Sequence, residues 1–153
     1  MDLPEFKPKD PCYVARVQGS FAQQGAMATL GAQLVLVEPG RVAIELPWTA
    51  GLSQQHGFLH GGIVAAVLDS ACGYAGFTLM PEGTGVLTIE FKINFLAPAK
   101  GQRFRMVGQV IKPGRTVTVT EGRTYAIDDG REKLIATMGA TLMTITGRED
   151  VKN

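Results

Sequence analysis

A single carboxylate lies in the middle of a run of small apolar residues, within the stretch HGFLHGGIVAAVLDSACGYAG that spans His56–Gly76. The same stretch contains both histidines of the chain and a Gly-Gly pair. Because an unpaired buried charge is costly, Asp69 needs either a partner or a functional role. A carboxylate held in a partly buried cleft can act as a general base or as a nucleophile.

The pair Gly61-Gly62 stands at the start of the helix that this apolar run predicts. N–H groups in the first turn of a helix have no internal acceptor, and the helix dipole is positive there. Glycine lets a ligand approach that backbone closely. Such donors stabilise a developing oxyanion, and one of them can contribute about 3–4 kcal/mol. The pattern therefore combines an oxyanion site with a carboxylate nine residues after His60.

One long helix is predicted over residues 60–80, closed by Pro81 and Gly83. At a period of 3.6, small residues share the face that carries Asp69. They are Gly62, Ala65, Ala66, Cys72, Gly73 and Gly76. Such a face lets another backbone or a flat ligand come close. The alternative is a structural Asp69 whose carboxylate is satisfied by a neighbouring hydroxyl or backbone N–H.

The elements before this helix are an extended arm and an amphipathic helix followed by a hairpin. The arm spans residues 1–11, the helix 12–29 and the two β-rich runs 32–40 and 41–48, and a polar loop covers 49–59. After the long helix the apolar period changes to two, as in strands. Four strands are predicted there, at 85–98, 103–111, 116–127 and 133–145, before a solvated tail at 147–153.

In the first of these four strands, strict alternation predicts two distinct faces. The apolar face carries Leu87, Ile89, Phe91, Ile93 and Phe95, and the polar face carries Thr88, Glu90, Lys92 and Asn94. This phase directs Thr88 away from the helix and disfavours its contact with Asp69. Consecutive strands with short turns predict an antiparallel sheet, an α+β class and a long helix that covers the sheet.

Length and composition set the broad class of the protein. The 153 residues suit one domain, and a net charge of +1 without a basic run excludes nucleic-acid binding. Two cysteines make no disulfide framework, and the N-terminus lacks a secretory signal, so we expect a cytoplasmic protein. Residues 61–80 are apolar enough to suggest a membrane span, but the central Asp69 favours a soluble core helix.

Other chemistries fit the same residues less well. His56 and His60 have the spacing of a helical metal pair, but His56 lies in the loop, so no metal site is expected. Ser70 and Cys72 flank the carboxylate, yet the chain has no G-x-S-x-G motif and no dinucleotide loop. Basic residues at the turn 112–115 are either a solvated hairpin tip or a phosphate contact.

The sequence HGGIVAAVLDSACGYA, followed by GVLTIEFKINFLAPAKG, resembles the hotdog-fold acyl-CoA thioesterases, and most closely the PaaI-like (phenylacetyl-CoA type) group. The resemblance covers about residues 45–145. It implies about six antiparallel strands wrapped around one long helix. It also implies homodimers, often dimers of dimers, with active sites at the dimer interface. Coenzyme A is then part of the substrate, and no further cofactor is implied.

The resemblance also implies roles for individual residues. Asp69 matches the catalytic carboxylate, Gly61 the residue whose N–H polarises the thioester carbonyl, and His60 a residue that orients that carbonyl or its loop. Thr88 matches a Ser or Thr that holds the attacking water. Gln54 occupies a position where many members carry Asn.

Binding roles follow for residues outside the motif. Arg115, with Lys112 beside it, is expected to reach the phosphates of coenzyme A. Phe58, Tyr74 and Phe77 either line an acyl pocket or belong to the core. The preferred function is acyl-CoA hydrolysis. The alternatives are a non-catalytic acyl-CoA sensor and a hotdog hydratase or dehydratase, although the spacing from H-G-G to Asp69 speaks against the last.

Overall fold

In the computed structural model, which describes residues 4–153, one long helix lies against a six-stranded antiparallel sheet. The helices are α1 (Tyr13–Gln23), α2 (Gly25–Leu30) and α3 (Gly61–Phe77). The strands are β1 (Gln33–Glu38), β2 (Arg41–Pro47), β3 (Gly85–Phe95), β4 (Arg103–Lys112), β5 (Val117–Asp128) and β6 (Arg131–Ile145). Their order in the sheet is β1-β2-β4-β5-β6-β3. The α+β hotdog architecture expected from the sequence is confirmed.

Helix α3 is held by burial on the sheet, since glycines lower its intrinsic propensity. Val64, Val67 and Leu68 are fully buried. Gly108 of β4 lies directly beneath the helix, where an added Cβ would be 2.3 Å from the Ala71 carbonyl oxygen. The sheet therefore brings its own backbone close to that of α3, and only glycine fits at this crossing.

The single helix predicted for residues 12–29 is wrong in one respect, because it is broken at Gln24. This residue has extended backbone angles, φ −78° and ψ 97°, and separates α1 from α2. Its side chain bonds to two residues of α3: Gln24 Nε2 donates to Tyr74 Oη at 3.0 Å, and Gln24 Oε1 accepts from Ser70 Oγ at 2.9 Å. The break thus coincides with hydrogen bonds to α3. Because glycine stabilises a helix poorly, interrupting the helix beside Gly25 costs little free energy.

The segment just before α1 and the C-terminal residues both contact the rest of the domain. Asp10 forms an ion pair of 3.0 Å with Arg16, and that guanidinium donates to the carbonyls of Phe77 and Met80 at the end of α3. The predicted arm begins at residues that lie outside the described part, 1–3. The tail predicted as solvated is exposed except at Val151, which is half-buried. It also forms a short 3₁₀ turn, and Asn153 Nδ2 donates to Ser20 Oγ at 2.7 Å.

Strand β3 lies at one edge of the sheet, with β6 as its neighbour. Its pairing slips between Thr88, which faces Leu142, and Glu90, which faces Thr141, so Ile89 is the extra residue of a β-bulge. The bulge reverses the side-chain phase within the strand. Thr88 therefore shares the inner face with Phe91, whereas the alternation had placed it on the polar face.

The prediction that Leu87 belongs to the helix-facing set is corrected for the same reason. Leu87 pairs with Met143, on the outer side of the sheet, and is 48% exposed. Ile89 in the bulge and Phe91 and Phe95 after it are also exposed, by 52%, 44% and 52%. The edge strand thus presents apolar side chains to its surroundings. Among residues 4–153, no helix has both the length and the apolar character that a membrane span requires.

Candidate active site

Asp69 and Thr88 form a hydrogen-bonded pair between α3 and β3. Thr88 Oγ1 donates to Asp69 Oδ1 at 2.8 Å. The contact depends on the bulge, because an unbroken alternation would turn Thr88 to the other side of the sheet. The expectation that Thr88 points away from Asp69 is therefore wrong. The structure thus brings together Asp69, which the family resemblance implies is the catalytic carboxylate, and Thr88, which it implies holds the attacking water.

The environment of Asp69 shifts the pKa of its carboxyl group. Burial raises the pKa of Asp69 above its ordinary value, and the hydrogen bond from Thr88 lowers it by less. A carboxylate with a raised pKa binds a proton more readily than an exposed one, which suits a general base. Asp69 borders a cavity of about 300 Å³, which Thr88, Ser70 and Gly73 also line.

The first turn of α3 is capped by the side chain of the preceding histidine. His60 is the N-cap residue, and its Nδ1 accepts a hydrogen bond from the Gly62 N–H at 2.9 Å. This bond fixes the proton of a neutral His60 on Nε2, which leaves that atom as a donor at the exposed edge of the ring. Gly61 is the first helical residue, so its N–H has no acceptor within the helix.

The ring of Phe95 covers one side of this helix start. A Cβ built on Gly61 would lie 3.1 Å from Phe95 Cζ, closer than ordinary side-chain contacts. Glycine therefore keeps the backbone at Gly61 accessible beside an aromatic ring. Phe95 is the last residue of β3, whereas Thr88 lies near the start of the same strand. One strand thus connects the two candidate halves of the site.

Gln54 is held in the loop that precedes α3. Its Oε1 accepts hydrogen bonds from the N–H groups of His56 and Phe58, and its own N–H donates to the Phe58 carbonyl at 2.8 Å. The side-chain amide oxygen therefore organises the loop, and the NH₂ group remains as a donor. The longer side chain of glutamine compared with asparagine is consistent with this loop-binding position.

Gly61 and Asp69 of one chain are too far apart to act on one carbonyl group. Eight residues separate them within α3, which corresponds to about 12 Å along the helix axis at 1.5 Å per residue. The two halves of the expected site therefore do not meet inside one protomer.

The three aromatic residues predicted for an acyl pocket lie in different places. Phe77 is fully buried in the core, with the Arg16 guanidinium 4.4 Å from its ring centroid. Phe58 borders a separate cavity near Lys100. Tyr74 alone lines the cavity next to Asp69. The structure does not bring the three together: Phe77 belongs to the core, and an acyl-binding role stays a prediction for Phe58 and Tyr74.

Lys112 and Arg115 are exposed at the turn between β4 and β5. Arg115 borders a cavity near the end of α3, away from Asp69, and Lys112 does not line that cavity. Their contact with coenzyme A stays a prediction.

Polar residues beside Asp69 were missed by sequence reasoning. Gln24 and Asn153 also line its cavity, and a chain of hydrogen bonds links them through Tyr74 and Ser20. No spacing in the sequence connects these residues with Asp69, because they come from α1–α2 and from the C-terminal end. Only the tertiary structure shows that they lie next to Asp69.

Neither of the alternative nucleophiles, Cys72 and Ser70, is suited to attack a substrate. Cys72 is fully buried, and that burial raises the pKa of its thiol to about 12, so a thiolate is disfavoured. Ser70 donates its hydroxyl hydrogen to Gln24. Within the described chain, no group of three or more His, Cys, Asp or Glu side chains is arranged to hold a metal ion.

Comparison with known proteins agrees with the function that this geometry suggests. The model of the thioesterase superfamily matches residues 56–133, which include the H-G-G motif, Asp69 and Thr88. A thioesterase family protein of Silicibacter pomeroyi has a solved structure with 57% identity and a TM-score of 0.87. The match covers 88% of this chain and 99% of that one.

Two further relatives extend the comparison. The 1,4-dihydroxy-2-naphthoyl-CoA hydrolase of Listeria monocytogenes is 26% identical over 118 residues, 77% of this chain and 94% of its own length. PaaI of E. coli, from the phenylacetic acid degradation operon, shares the fold at 19% identity and a TM-score of 0.78. That match covers 88% of this chain and 94% of PaaI. Among the curated relatives, the chain spans 65% of the length of a protein of Saccharolobus solfataricus and 94% of the length of the Listeria enzyme.

Proposed function

This chain belongs to the thioesterase superfamily and is a thioester hydrolase, and from that premise we propose that it cleaves acyl-CoA thioesters to the free acid and coenzyme A. Asp69 serves as general base or nucleophile, and the Gly61 N–H binds the carbonyl oxygen. The observation that carries the proposal is the hydrogen bond of 2.8 Å from Thr88 to a half-buried Asp69.

The chemistry requires an attacking oxygen and a stabilised oxyanion. The leaving thiolate comes from a thiol with a pKa of about 8.5, so no strong general acid is needed. Thr88 donates its own hydrogen to Asp69, which leaves its oxygen lone pairs free to accept from water. A water held by Thr88 would then lie next to the carboxylate that removes its proton. His60 orients the carbonyl or its loop, and Gln54 holds that loop.

A homodimer with active sites at its interface completes this arrangement. Strand β3 has one free edge, and a long, exposed, apolar edge strand is a template for pairing with another chain. Antiparallel pairing of two β3 strands around a two-fold axis near Phe91 and Lys92 would place Phe95 of one copy opposite Thr88 of the other. Since Phe95 lies against Gly61, each oxyanion donor would come next to the other copy's Asp69.

The experiment that tests the proposal is thiol release from short, medium, long-chain and aromatic acyl-CoAs. Asp69→Asn keeps the shape and the acceptor for Thr88 but removes the base, so turnover should fall by about 100-fold or more. Asp128→Asn, at an exposed carboxylate that ends β5, is the matched control and should keep full turnover. A protein that binds acyl-CoA but turns over no thioester would instead be a sensor, and the proposed hydrolysis would be wrong.

A further inference from the structure

The cavity next to Asp69 extends in one direction from the hydrogen-bonded pair of Asp69 and Thr88. Its lining continues along α3 as far as Tyr74 and back along β3 as far as Val86. Five residues of helix correspond to about 7.5 Å and two residues of strand to about 7 Å. The cavity thus leads away from the carboxylate toward the end of α3 and the start of β3.

The end of the cavity remote from Asp69 is polar. Gln24, at the break between α1 and α2, and Asn153, in the C-terminal segment, both line the cavity. A row of hydrogen bonds connects them: Gln24 Nε2 donates to Tyr74 Oη at 3.0 Å, Tyr74 Oη lies 3.2 Å from Ser20 Oγ, and Asn153 Nδ2 donates to Ser20 Oγ at 2.7 Å. The side chains of Gln24 and Asn153 are therefore held in place by their neighbours.

These two amides keep hydrogen-bonding groups that the row does not use. Gln24 Oε1 accepts from Ser70 Oγ at 2.9 Å and one of its N–H groups donates to Tyr74, so its second N–H has no partner among residues 4–153. Within the same range, Asn153 Oδ1 accepts no hydrogen bond. Gln24 is half-buried, and an apolar group placed against it would displace water without replacing the hydrogen bond.

The segment that carries Asn153 is seated against the start of β3. A Cβ added to Gly85 would overlap the Val151 carbonyl oxygen, so the glycine lets this segment lie directly on the strand. The Asn153 N–H donates to the Thr84 carbonyl at 3.3 Å. Two backbone contacts thus bring the Asn153 side chain to the cavity, although the residue is far from Asp69 in the sequence.

We propose that Gln24 and Asn153 determine substrate specificity by binding a hydroxyl group at the far end of the acyl group. A hydroxyl can accept from the free Gln24 N–H and donate to Asn153 Oδ1, whereas a methyl group can do neither. The inference rests on the proposed function and adds to it the chemistry of the acyl group. The favoured substrates are acyl-CoAs with a hydroxyl group distant from the thioester.

The test compares each alkanoyl-CoA, from butanoyl to octanoyl, with the same chain carrying a terminal hydroxyl. The wild type should prefer the hydroxylated member about tenfold in kcat/KM at the chain length that reaches Gln24 and Asn153. Gln24→Met keeps a similar shape and removes the amide, so this preference should fall about tenfold. Gln23→Met is the matched control, because Gln23 is exposed, ends α1 and does not line the cavity.

Asn153→Leu provides a second variant that leaves the hydrogen bonds between Gln24 and α3 in place, and it should also lower the preference. The preference is a ratio measured on one protein sample, so a smaller folded fraction does not change it. A wild type without hydroxyl preference at any chain length would overturn the proposal. A preference that survives in both variants would overturn it as well.

Failure of the proposed hydrolysis is distinguishable from failure of this inference. If the wild type cleaves no thioester, calorimetry with the same pairs measures binding instead. Tighter binding of the hydroxylated member, lost in Gln24→Met, would keep the recognition and refute only the hydrolysis. Equal binding of the two members would refute the recognition, and a lack of binding to every acyl-CoA would refute both.

Discussion

Thr88 of the edge strand donates a hydrogen bond of 2.8 Å to Asp69 of the central helix, across a position where the strand contains an extra residue. This bond ties the pKa of the carboxyl group to the geometry of the bulge. It also connects the surface expected to pair with a second chain to the residue expected to activate water.

Replacement of Thr88 should change the pH dependence of the reaction. The Thr88 hydroxyl lowers the pKa of Asp69, so Thr88→Val should raise that pKa further. A base with a higher pKa stays protonated up to a higher pH, so the acid limb of the plot of kcat/KM against pH should shift to higher pH. We also expect kcat/KM to fall about tenfold at neutral pH. Thr88→Ser keeps the hydroxyl, and an acid limb that is the same in both variants would contradict this link.

Asp69 should lower the free energy of unfolding by an amount that depends on pH. Burial raises its pKa in the folded state above the ordinary value of 3.8, so the folded protein binds this proton more tightly than the unfolded chain. The contribution of Asp69 to the free energy of unfolding therefore decreases as pH rises from 3.8 through the folded pKa. Asp69→Asn should stabilise the protein near neutral pH, and the gain should disappear below the ordinary pKa.

Urea unfolding at about pH 7 and about pH 3.5, at equal protein concentrations, measures this difference. Asp128→Asn, an exposed carboxylate, serves as the control. A gain that is equal at both pH values would show that the effect has another origin than the ionisation of Asp69.

The oxyanion donor can be removed without removing the helix. Proline is well tolerated at the first helical position, and His60 already has the extended backbone, φ −60° and ψ 134°, that precedes a proline. Gly61→Pro deletes the N–H and should lower kcat by about 100-fold or more. Gly61→Ala adds a Cβ against Phe95 but keeps the N–H, so it separates steric effects from the loss of the donor. Equal activity of the two variants would refute the role of this N–H.

Mixed dimers test whether each site uses both chains. Asp69→Asn and Gly61→Pro should each be nearly inactive alone. A dimer that contains one chain of each kind has one complete site, formed by the intact Asp69 of one chain and the intact Gly61 of the other. Random mixing should therefore restore roughly a quarter of wild-type activity. Thiol release from co-expressed, differently tagged chains measures this, and no recovery would place each site within one protomer.

The close crossing of α3 over the sheet predicts a strong packing effect. A Cβ on Gly108 would be 2.3 Å from the Ala71 carbonyl oxygen, so Gly108→Ala must displace backbone. We expect it to lower the free energy of unfolding by about 3 kcal/mol or more. Gly139→Ala, where nothing lies within 4 Å of the added Cβ, should not destabilise the protein. Urea unfolding of both variants measures the difference.

Periodicity and one motif were enough to predict most of the fold. The change of apolar period after residue 80 predicted the helix and the strands, and the spacing between His60 and Asp69 predicted which residues the helix presents. These features are local, because they depend on neighbouring side chains along one element.

The errors share a cause, which is contact between distant segments. The letters LTIEFKINF, residues 87–95, alternate without interruption, so nothing in them indicates that the pairing with β6 slips after Thr88. The break at Gln24 is similar, since its side chain bonds to residues 46 and 50 positions away. The hydrogen bond from Asn153 to Ser20 likewise depends on a partner that sequence spacing does not reveal.

The bulge in β3 gives this enzyme an evolutionary freedom. The extra residue Ile89 reverses the side-chain alternation, so the segments before and after it each have their own alternation. The segment after the bulge can exchange apolar residues, and so change the partner or the assembly that it recognises, without rotating Thr88 away from Asp69. Drift at the contact surface and conservation of the chemistry can therefore proceed side by side within one strand.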